Sequence, residues 1–115
     1  MDRHERAGTI RVSLADWIDD EVDNEPRHAI SVVTARAGVA RTTLLRYEEW
    51  GLLEPARSGR QRLYSEADIE QVMRVRRLTD DLGINLAGAA AVLHLREQVI
   101  ALQRDMQALR ELLDR

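Results

Sequence analysis

The chain has 115 residues, which is too few for two ordinary domains. Of these, 44% are hydrophobic and 32% charged, a composition typical of one globular core. The absence of cysteine excludes disulfides, thiol redox chemistry and cysteine-based zinc sites, and three scattered histidines predict no metal site. No apolar stretch reaches the length of a membrane span, and the N-terminal sequence lacks a signal peptide's apolar run. We therefore expect a cytoplasmic protein without a metal, cofactor or membrane contact.

Charge is unevenly distributed along a chain whose net charge is -3. Residues 1–26 carry eight acidic side chains and three arginines, whereas residues 27–64 carry seven arginines and three glutamates. Every cation is Arg, whose planar guanidinium forms bidentate contacts with phosphate and guanine, although genomic base composition is the favoured explanation for the absence of Lys. The basic middle segment is the candidate for contact with nucleic acid.

The first 26 residues predict an acidic extension with one short helix. Ser13 and Asp16 form a capping-box pattern, and apolar residues at helical spacing predict an amphipathic helix over about residues 14–22. Pro26 marks the boundary after it. Its acidic face is either a solvated surface or an arm that docks a partner.

Two short helices and a turn are predicted next, in the arrangement of a helix-turn-helix. Ser31 is expected to cap a helix over residues 32–37, and Gly38 is expected to end it. A second helix is predicted over residues 41–50, with its apolar side formed by Leu44.

A small hairpin and a third helix follow in the predicted order. The turn signal at Ser58-Gly59 lies between two short runs suited to extended chain, which predicts a hairpin that bears arginines. Ser65 and Asp68 form a second capping box, which opens a helix to about Leu82. Two ion pairs are expected along it, Glu70–Arg74 and Arg77–Asp81.

The C-terminal stretch predicts one long helix or two stacked ones, capped at Asn85. Apolar residues recur there at alternating spacings of four and three, the a/d pattern of a heptad. They are Leu95, Val99, Leu102, Met106, Leu109 and Leu113. This stripe predicts a coiled-coil helix that forms a homodimer; alternatively, it packs onto its own domain.

An ordered set of motifs runs through residues 29 to 95. The positions that match one family pattern are Thr43-Leu44, Tyr47-Glu48, Gly51-Leu52-Leu53, Pro55, Arg57, Arg62, Tyr64 and Asp68. With these motifs the segment resembles the winged-helix DNA-binding domain of the MerR family of bacterial transcriptional regulators. Two positions depart from the pattern: Leu45 replaces the family Arg, and Arg60-Gln61 replaces a Gly-Tyr pair.

The resemblance implies a mainly α-helical fold, a winged helix-turn-helix with a C-terminal coiled-coil dimerisation helix. The expected organisation is an acidic extension over 1–26, a DNA-binding domain over 27–84 and a helical dimerisation region over 85–115. A dimer presents two recognition helices to a pseudo-palindromic promoter site in double-stranded DNA. The implied role is that of a transcriptional regulator in the bacterial cytoplasm, associated with the nucleoid when bound.

The resemblance also suggests which side chains contact DNA. Short polar side chains and Arg near the start of a recognition helix reach base edges, so base contacts are expected from Arg41, Thr42 and Thr43. Phosphate contacts, which fix register without reading sequence, are expected from Arg46, Tyr47, Arg57, Arg60, Arg62 and Tyr64. Three alternatives stay open: both tyrosines are core aromatics, Arg46 pairs with Glu48 or Glu49, and the hairpin arginines are merely solvated.

The stretch DDLGINLAGAAAVLHLREQVIALQRDMQAL resembles the heat-shock repressor branch of the family, HspR, and also the related chaperone modulator CbpM, which binds a J-domain co-chaperone. CbpM proteins generally degrade the recognition-helix and hairpin motifs that this sequence retains. A repressor of heat-shock or chaperone genes is therefore favoured, and a CbpM-like modulator is the alternative.

The regulatory signal is expected from a partner, because no effector domain follows the heptads in this sequence. The resemblance implies a chaperone such as the Hsp70 homologue, or a J-domain protein. An enzyme is not expected, since no catalytic triad, carboxylate pair or phosphate-binding glycine loop can be built from these residues.

Overall fold

The structure, a computed structural model, describes residues 23–115, so the helix predicted over residues 14–22 and its acidic face lie outside the described residues. The described elements are α1 (Ile30–Ala37), α2 (Arg41–Glu49), β1 (Ala56–Ser58), β2 (Gln61–Leu63), α3 (Glu66–Arg76), a π-helical turn (Arg77–Asp81) and α4 (Leu86–Leu113). The prediction of a mainly helical chain with a helix-turn-helix and a hairpin is confirmed.

The described residues form two compact units, which divide between Leu95 and Arg96, inside α4. The first unit holds the helix-turn-helix, the hairpin, α3 and the first part of α4. The sequence predicts the boundary between the DNA-binding domain and the helical dimerisation region earlier, between residues 84 and 85, in the loop that precedes α4. None of the helices within residues 23–115 combines the length and apolar character needed to cross a bilayer.

The helix-turn-helix begins two residues earlier than predicted. The Ala29 carbonyl accepts hydrogen bonds from the amides of Val32 and Val33, at 3.0 and 3.4 Å, so α1 starts at Ile30. Ser31 therefore lies inside the first turn, and its predicted capping role is wrong. The predicted stop at Gly38 is confirmed, because this residue adopts the left-handed conformation, with φ of 68°, that glycine tolerates best.

Local signals set the beginnings of α3 and α4. The Ser65 hydroxyl accepts from the Asp68 amide at 3.1 Å, and the Asp68 carboxylate accepts from the Ser65 amide at 2.8 Å, which confirms the capping box. The Asn85 side chain accepts from the Gly88 amide at 2.8 Å, so the predicted cap of α4 is confirmed too. One uninterrupted helix follows, rather than two stacked ones.

The end of α3 differs from the prediction. Residues Arg77–Asp81 form a π-helical turn, in which the Leu82 amide donates to the Arg77 carbonyl five residues back, at 3.1 Å. The Glu70–Arg74 pair forms at 3.9 Å. The predicted Arg77–Asp81 pair is wrong: within residues 23–115 these two side chains form no ion pair, and Arg76 pairs with Asp80 instead, at 3.3 Å.

The core of the first unit is aliphatic with two tyrosines. Its buried members are Val33, Ala37, Leu44, Tyr47, Leu52, Leu53, Tyr64, Ile69, Val72, Val75 and Leu93. They come from both helices of the helix-turn-helix, the segment between α2 and β1, the end of the hairpin, α3 and the first part of α4. Burial of this apolar surface supplies the main stabilisation, and it fixes α2 against the rest of the unit.

The segment before α1 is joined to the start of α3. His28 forms an isolated antiparallel bridge with Tyr64, in which the Tyr64 amide donates to the His28 carbonyl at 2.8 Å. The Glu66 carboxylate lies 2.9 Å from Nε2 of His28 and accepts from Nη2 of Arg36 at 3.0 Å. The Arg36 guanidinium and, to a lesser extent, His28 lower the pKa of Glu66 from 4.5 to about 2.

We expect Glu66 to make the stability of the first unit pH-dependent in acid. Its folded pKa lies below its unfolded value, so the stabilisation is complete above pH 4.5 and is lost as the pH falls towards about 2. The difference in free energy of unfolding between wild type and Glu66→Gln should therefore shrink over that range. Urea unfolding at stepped pH values measures it, with Glu97→Gln, at an exposed position of α4, as the control. If the difference in free energy of unfolding between wild type and Glu66→Gln does not change with pH, the ion pairs of Glu66 are not the source of the pH dependence.

Candidate nucleic-acid interface

The first turn of α2 exposes a basic and polar surface. Arg41 and Thr42 are exposed and Thr43 is half-buried, whereas Leu44 and Tyr47 on the other side of the helix are buried. The predicted base-contacting residues are thus brought together at one end of α2. The side chains that anchor the helix and those that could reach a base edge lie on different faces.

The charge at this turn works against helix stability. The N-cap residue of α2 is Ala40, no side chain caps the free amides, and the first turn contains no acidic residue. A cation at a helix N-terminus meets the positive end of the helix dipole, so Arg41 is unfavourable there by a few tenths of a kcal/mol or more. An anion placed against this turn, such as a DNA phosphate, removes that conflict.

Two hydrogen bonds from α3 hold the helix-turn-helix in position. Nη1 of Arg76 donates to the Ala37 carbonyl at 2.7 Å, at the carboxyl end of α1, where a cation is favourable. Nε2 of Gln71 donates to the Leu52 carbonyl at 3.4 Å, just after α2. Together with the buried Leu44, these contacts fix the orientation of α2 within the unit.

The hairpin carries the second group of candidates. Its strands pair Ala56 with Leu63, Arg57 with Arg62 and Ser58 with Gln61, and they are joined by Gly59 and Arg60. The turn is therefore one residue later than the predicted Ser58-Gly59. Glycine stands at the first loop position with φ of 62°, as a type II′ hairpin turn requires.

The hairpin arginines differ in their surroundings. Arg57 and Arg60 are exposed, and within residues 23–115 neither forms an ion pair. Nε of Arg62, in contrast, donates to Oε1 of Glu48 on α2 at 3.1 Å, and the Arg62 side chain is 29% exposed. Arg62 is therefore the one hairpin arginine that is already neutralised by a carboxylate.

Both tyrosines lie in the core rather than at the surface. Tyr47 is 5% exposed and Tyr64 is fully buried, and burial raises the pKa of each hydroxyl. Direct contact of Tyr64 with a phosphate is incompatible with this position, because its hydroxyl has no exposed surface. The structure thus favours the interpretation of both residues as core aromatics, and it corrects the expected phosphate contact of Tyr64.

Glu48 is the functional candidate that the sequence did not identify. The sequence matches Glu48 to the family pattern and offers it as a helical partner of Arg46, but its carboxylate binds Arg62 instead. Within the described chain, exposed Arg46 pairs with neither Glu48 nor Glu49 and so can reach an external anion. Only the placement of the hairpin on α2 creates the Glu48–Arg62 contact, and no local motif marks it.

The predicted dimerisation residues lie along α4 and are largely exposed. Their exposed fractions are 56% for Leu95, 62% for Leu102, 52% for Met106, 59% for Leu109 and 76% for Leu113, and Val99 is partly buried. Leu112, which the heptad pattern did not include, is 62% exposed beside them. The helix therefore carries a continuous apolar stripe on its surface.

Comparisons with known proteins agree with this geometry. The family model described as MerR HTH family regulatory protein matches residues 29–95, which span the helix-turn-helix, the hairpin, α3 and the start of α4. A protein of Streptomyces coelicolor designated heat shock protein HspR is 40% identical over 93 residues, which cover 80% of this chain. The aligned part makes up 62% of that relative's own length. The matched family and the exposed polar turn of α2 lead to one assignment: the chain belongs to the MerR HTH family of regulatory proteins.

Proposed function

We propose that this chain is a sequence-specific DNA-binding transcriptional regulator that represses heat-shock or chaperone genes as a homodimer. The observation that carries the proposal is the first turn of α2, where exposed Arg41 and Thr42 stand on a helix fixed by the core. The helix enters the major groove by this turn, while Arg46, Arg57 and Arg60 contact phosphates. The repressed gene class is inferred from the similarity to HspR.

Two observations favour this role over a CbpM-like chaperone modulator. The surface that contacts DNA is retained, with four exposed arginines on α2 and the hairpin that form no ion pair within residues 23–115. The similar protein from Streptomyces coelicolor is designated an HspR rather than a modulator. A catalytic function is not proposed, because the family is one of regulatory proteins.

The dimer is proposed to form through α4. Exposed apolar side chains at heptad spacing are the seam that a coiled coil buries, and about three heptads associate stably only with the support of folded domains. Two-fold symmetry then presents two α2 helices to the half-sites of a pseudo-palindromic promoter. In this role the protein works in the bacterial cytoplasm, on the nucleoid when bound.

A chaperone partner is proposed as the source of the regulatory signal, either an Hsp70 homologue or a J-domain protein. Support comes from the similarity to HspR, whose name refers to heat shock. Co-purification from heat-stressed and unstressed cells is expected to recover such a chaperone with the full chain. Recovery of the chain without a chaperone under both conditions would contradict this part of the proposal.

A salt titration of DNA binding tests the main proposal. Fluorescence anisotropy should give a preference of about a thousandfold or more for the DNA upstream of the protein's own gene over scrambled DNA of equal length. Phosphate contacts should give a steep fall of affinity with salt, because each contributes a slope of roughly -0.9. Equal and weak binding to both DNAs would contradict sequence-specific regulation, and titration with a J-domain would then test the modulator role.

A further inference from the structure

The contact between Glu48 and Arg62 joins the hairpin to the recognition helix. Nε of Arg62 on β2 donates to Oε1 of Glu48 on α2 at 3.1 Å. The two side chains are 29% and 16% exposed, so the pair is partly screened from water. Charge-assisted hydrogen bonds in such surroundings are roughly twice as strong as neutral ones, and this one connects residues 14 positions apart.

The strand register gives a reason why this carboxylate is needed. Arg57 and Arg62 are direct partners across the antiparallel hairpin, so two cations face each other on neighbouring strands. Like charges in this position repel and destabilise the pairing. The Glu48 carboxylate neutralises Arg62, which leaves Arg57 as the exposed cation of the pair.

The surroundings of Glu48 indicate a fixed carboxylate rather than a mobile surface group. Its second oxygen, Oε2, is buried and has no hydrogen-bond partner within the described chain, and the same is true of the Tyr64 hydroxyl. After burial itself, the negative charge of Glu48 is the next cause that raises the pKa of Tyr64. The Glu48 side chain is thus mostly buried, and Arg62 reaches its carboxylate from β2.

We propose that Glu48 is a positioning residue for DNA binding, which ties the hairpin to α2 and holds Arg62 away from the phosphate backbone. The phosphate contacts of the hairpin then come from Arg57 and Arg60, and Arg62 acts within the protein. This inference rests on the proposed function, and it changes the role that the sequence suggests for Arg62.

The DNA-binding test compares Arg57→Gln, Arg62→Gln, Glu48→Gln and the double variant Glu48→Gln/Arg62→Gln on specific and scrambled DNA. Arg57→Gln should reduce the salt slope by about 0.9, the value of one lost phosphate contact. Arg62→Gln should weaken binding because Glu48 is left charged and without its partner, and adding Glu48→Gln should recover part of that affinity, with the remaining loss due to the missing contact between the hairpin and α2. Glu48→Gln alone should release Arg62, steepen the slope by about 0.9 and tighten binding to scrambled DNA.

The opposite pattern would overturn the proposal. A direct phosphate contact by Arg62 predicts that Arg62→Gln loses as much slope as Arg57→Gln and that the double variant binds no better than Arg62→Gln. A purely structural role of Glu48 predicts weaker binding to both DNAs in Glu48→Gln, without a steeper slope. Either result excludes Glu48 as the residue that withholds Arg62.

A measurement on the free protein separates failure of this inference from failure of the proposed function. The Nε–H resonance of Arg62 in a nitrogen–proton NMR spectrum should move in Glu48→Gln and stay in place in Glu49→Gln, the matched neighbour on α2. No movement would overturn the pair itself. If the resonance moves but wild type does not prefer specific DNA, the pair exists and its role in DNA binding fails together with the proposed function.

Discussion

Replacing Arg41 with alanine is expected to lower affinity for the specific promoter site by about 5- to 150-fold, since a bidentate Arg contact with a base contributes about 1–3 kcal/mol of discrimination. Arg41 is exposed in the first turn of α2, where it conflicts with the helix dipole, so its removal should not destabilise the fold. Binding to scrambled DNA should fall much less. Fluorescence anisotropy with both DNAs measures the two effects.

A matched control for Arg41→Ala is Arg77→Ala, which removes the same charge from the exposed π-helical turn. We expect the control to leave the ratio of specific to non-specific affinity unchanged. An equal loss on both DNAs in Arg41→Ala would assign Arg41 to a phosphate rather than to a base, because a phosphate contact carries no sequence information.

Local signals in the sequence predicted the elements of this fold well. The capping box of Ser65 and Asp68, the Asn85 cap and the glycine stop at Gly38 each depend on residues within one turn of each other, so the sequence contains the whole interaction. The failed cap at Ser31 shows the limit of such signals. The helix begins where the Ala29 carbonyl accepts two amides, and the buried Val33 aligns it with the core.

Contacts between distant segments could not be predicted in the same way. The Arg62–Glu48 pair and the burial of Tyr64 depend on how the hairpin lies on α2, and the cross-strand meeting of Arg57 with Arg62 depends on a register set by Gly59 and Arg60. A shift of the turn by one residue changes every partner along the two strands. The sequence therefore identified the hairpin as basic but not which of its arginines stays free.

The exposed stripe of α4 leads to the second large expected effect. Leu102→Glu should dissociate the proposed homodimer, because Leu102 lies at the middle of the stripe and is 62% exposed in the single chain. A fully buried Leu side chain contributes about 1.5–3 kcal/mol, and two-fold symmetry removes two of them while bringing two carboxylates together. The change should raise the dimer dissociation constant at least a hundredfold, measured by sedimentation equilibrium.

Ala108→Glu is the control for this change, since Ala108 is exposed on the same helix outside the heptad positions. It adds the same charge and should leave the dimer intact. In DNA binding, Leu102→Glu should lose the gain in affinity that a second half-site gives wild type, while its binding to a single half-site stays close to wild type. A Leu102→Glu protein that remains a dimer would exclude this stripe as the interface, and the two half-sites would then have to be joined through another surface of the chain.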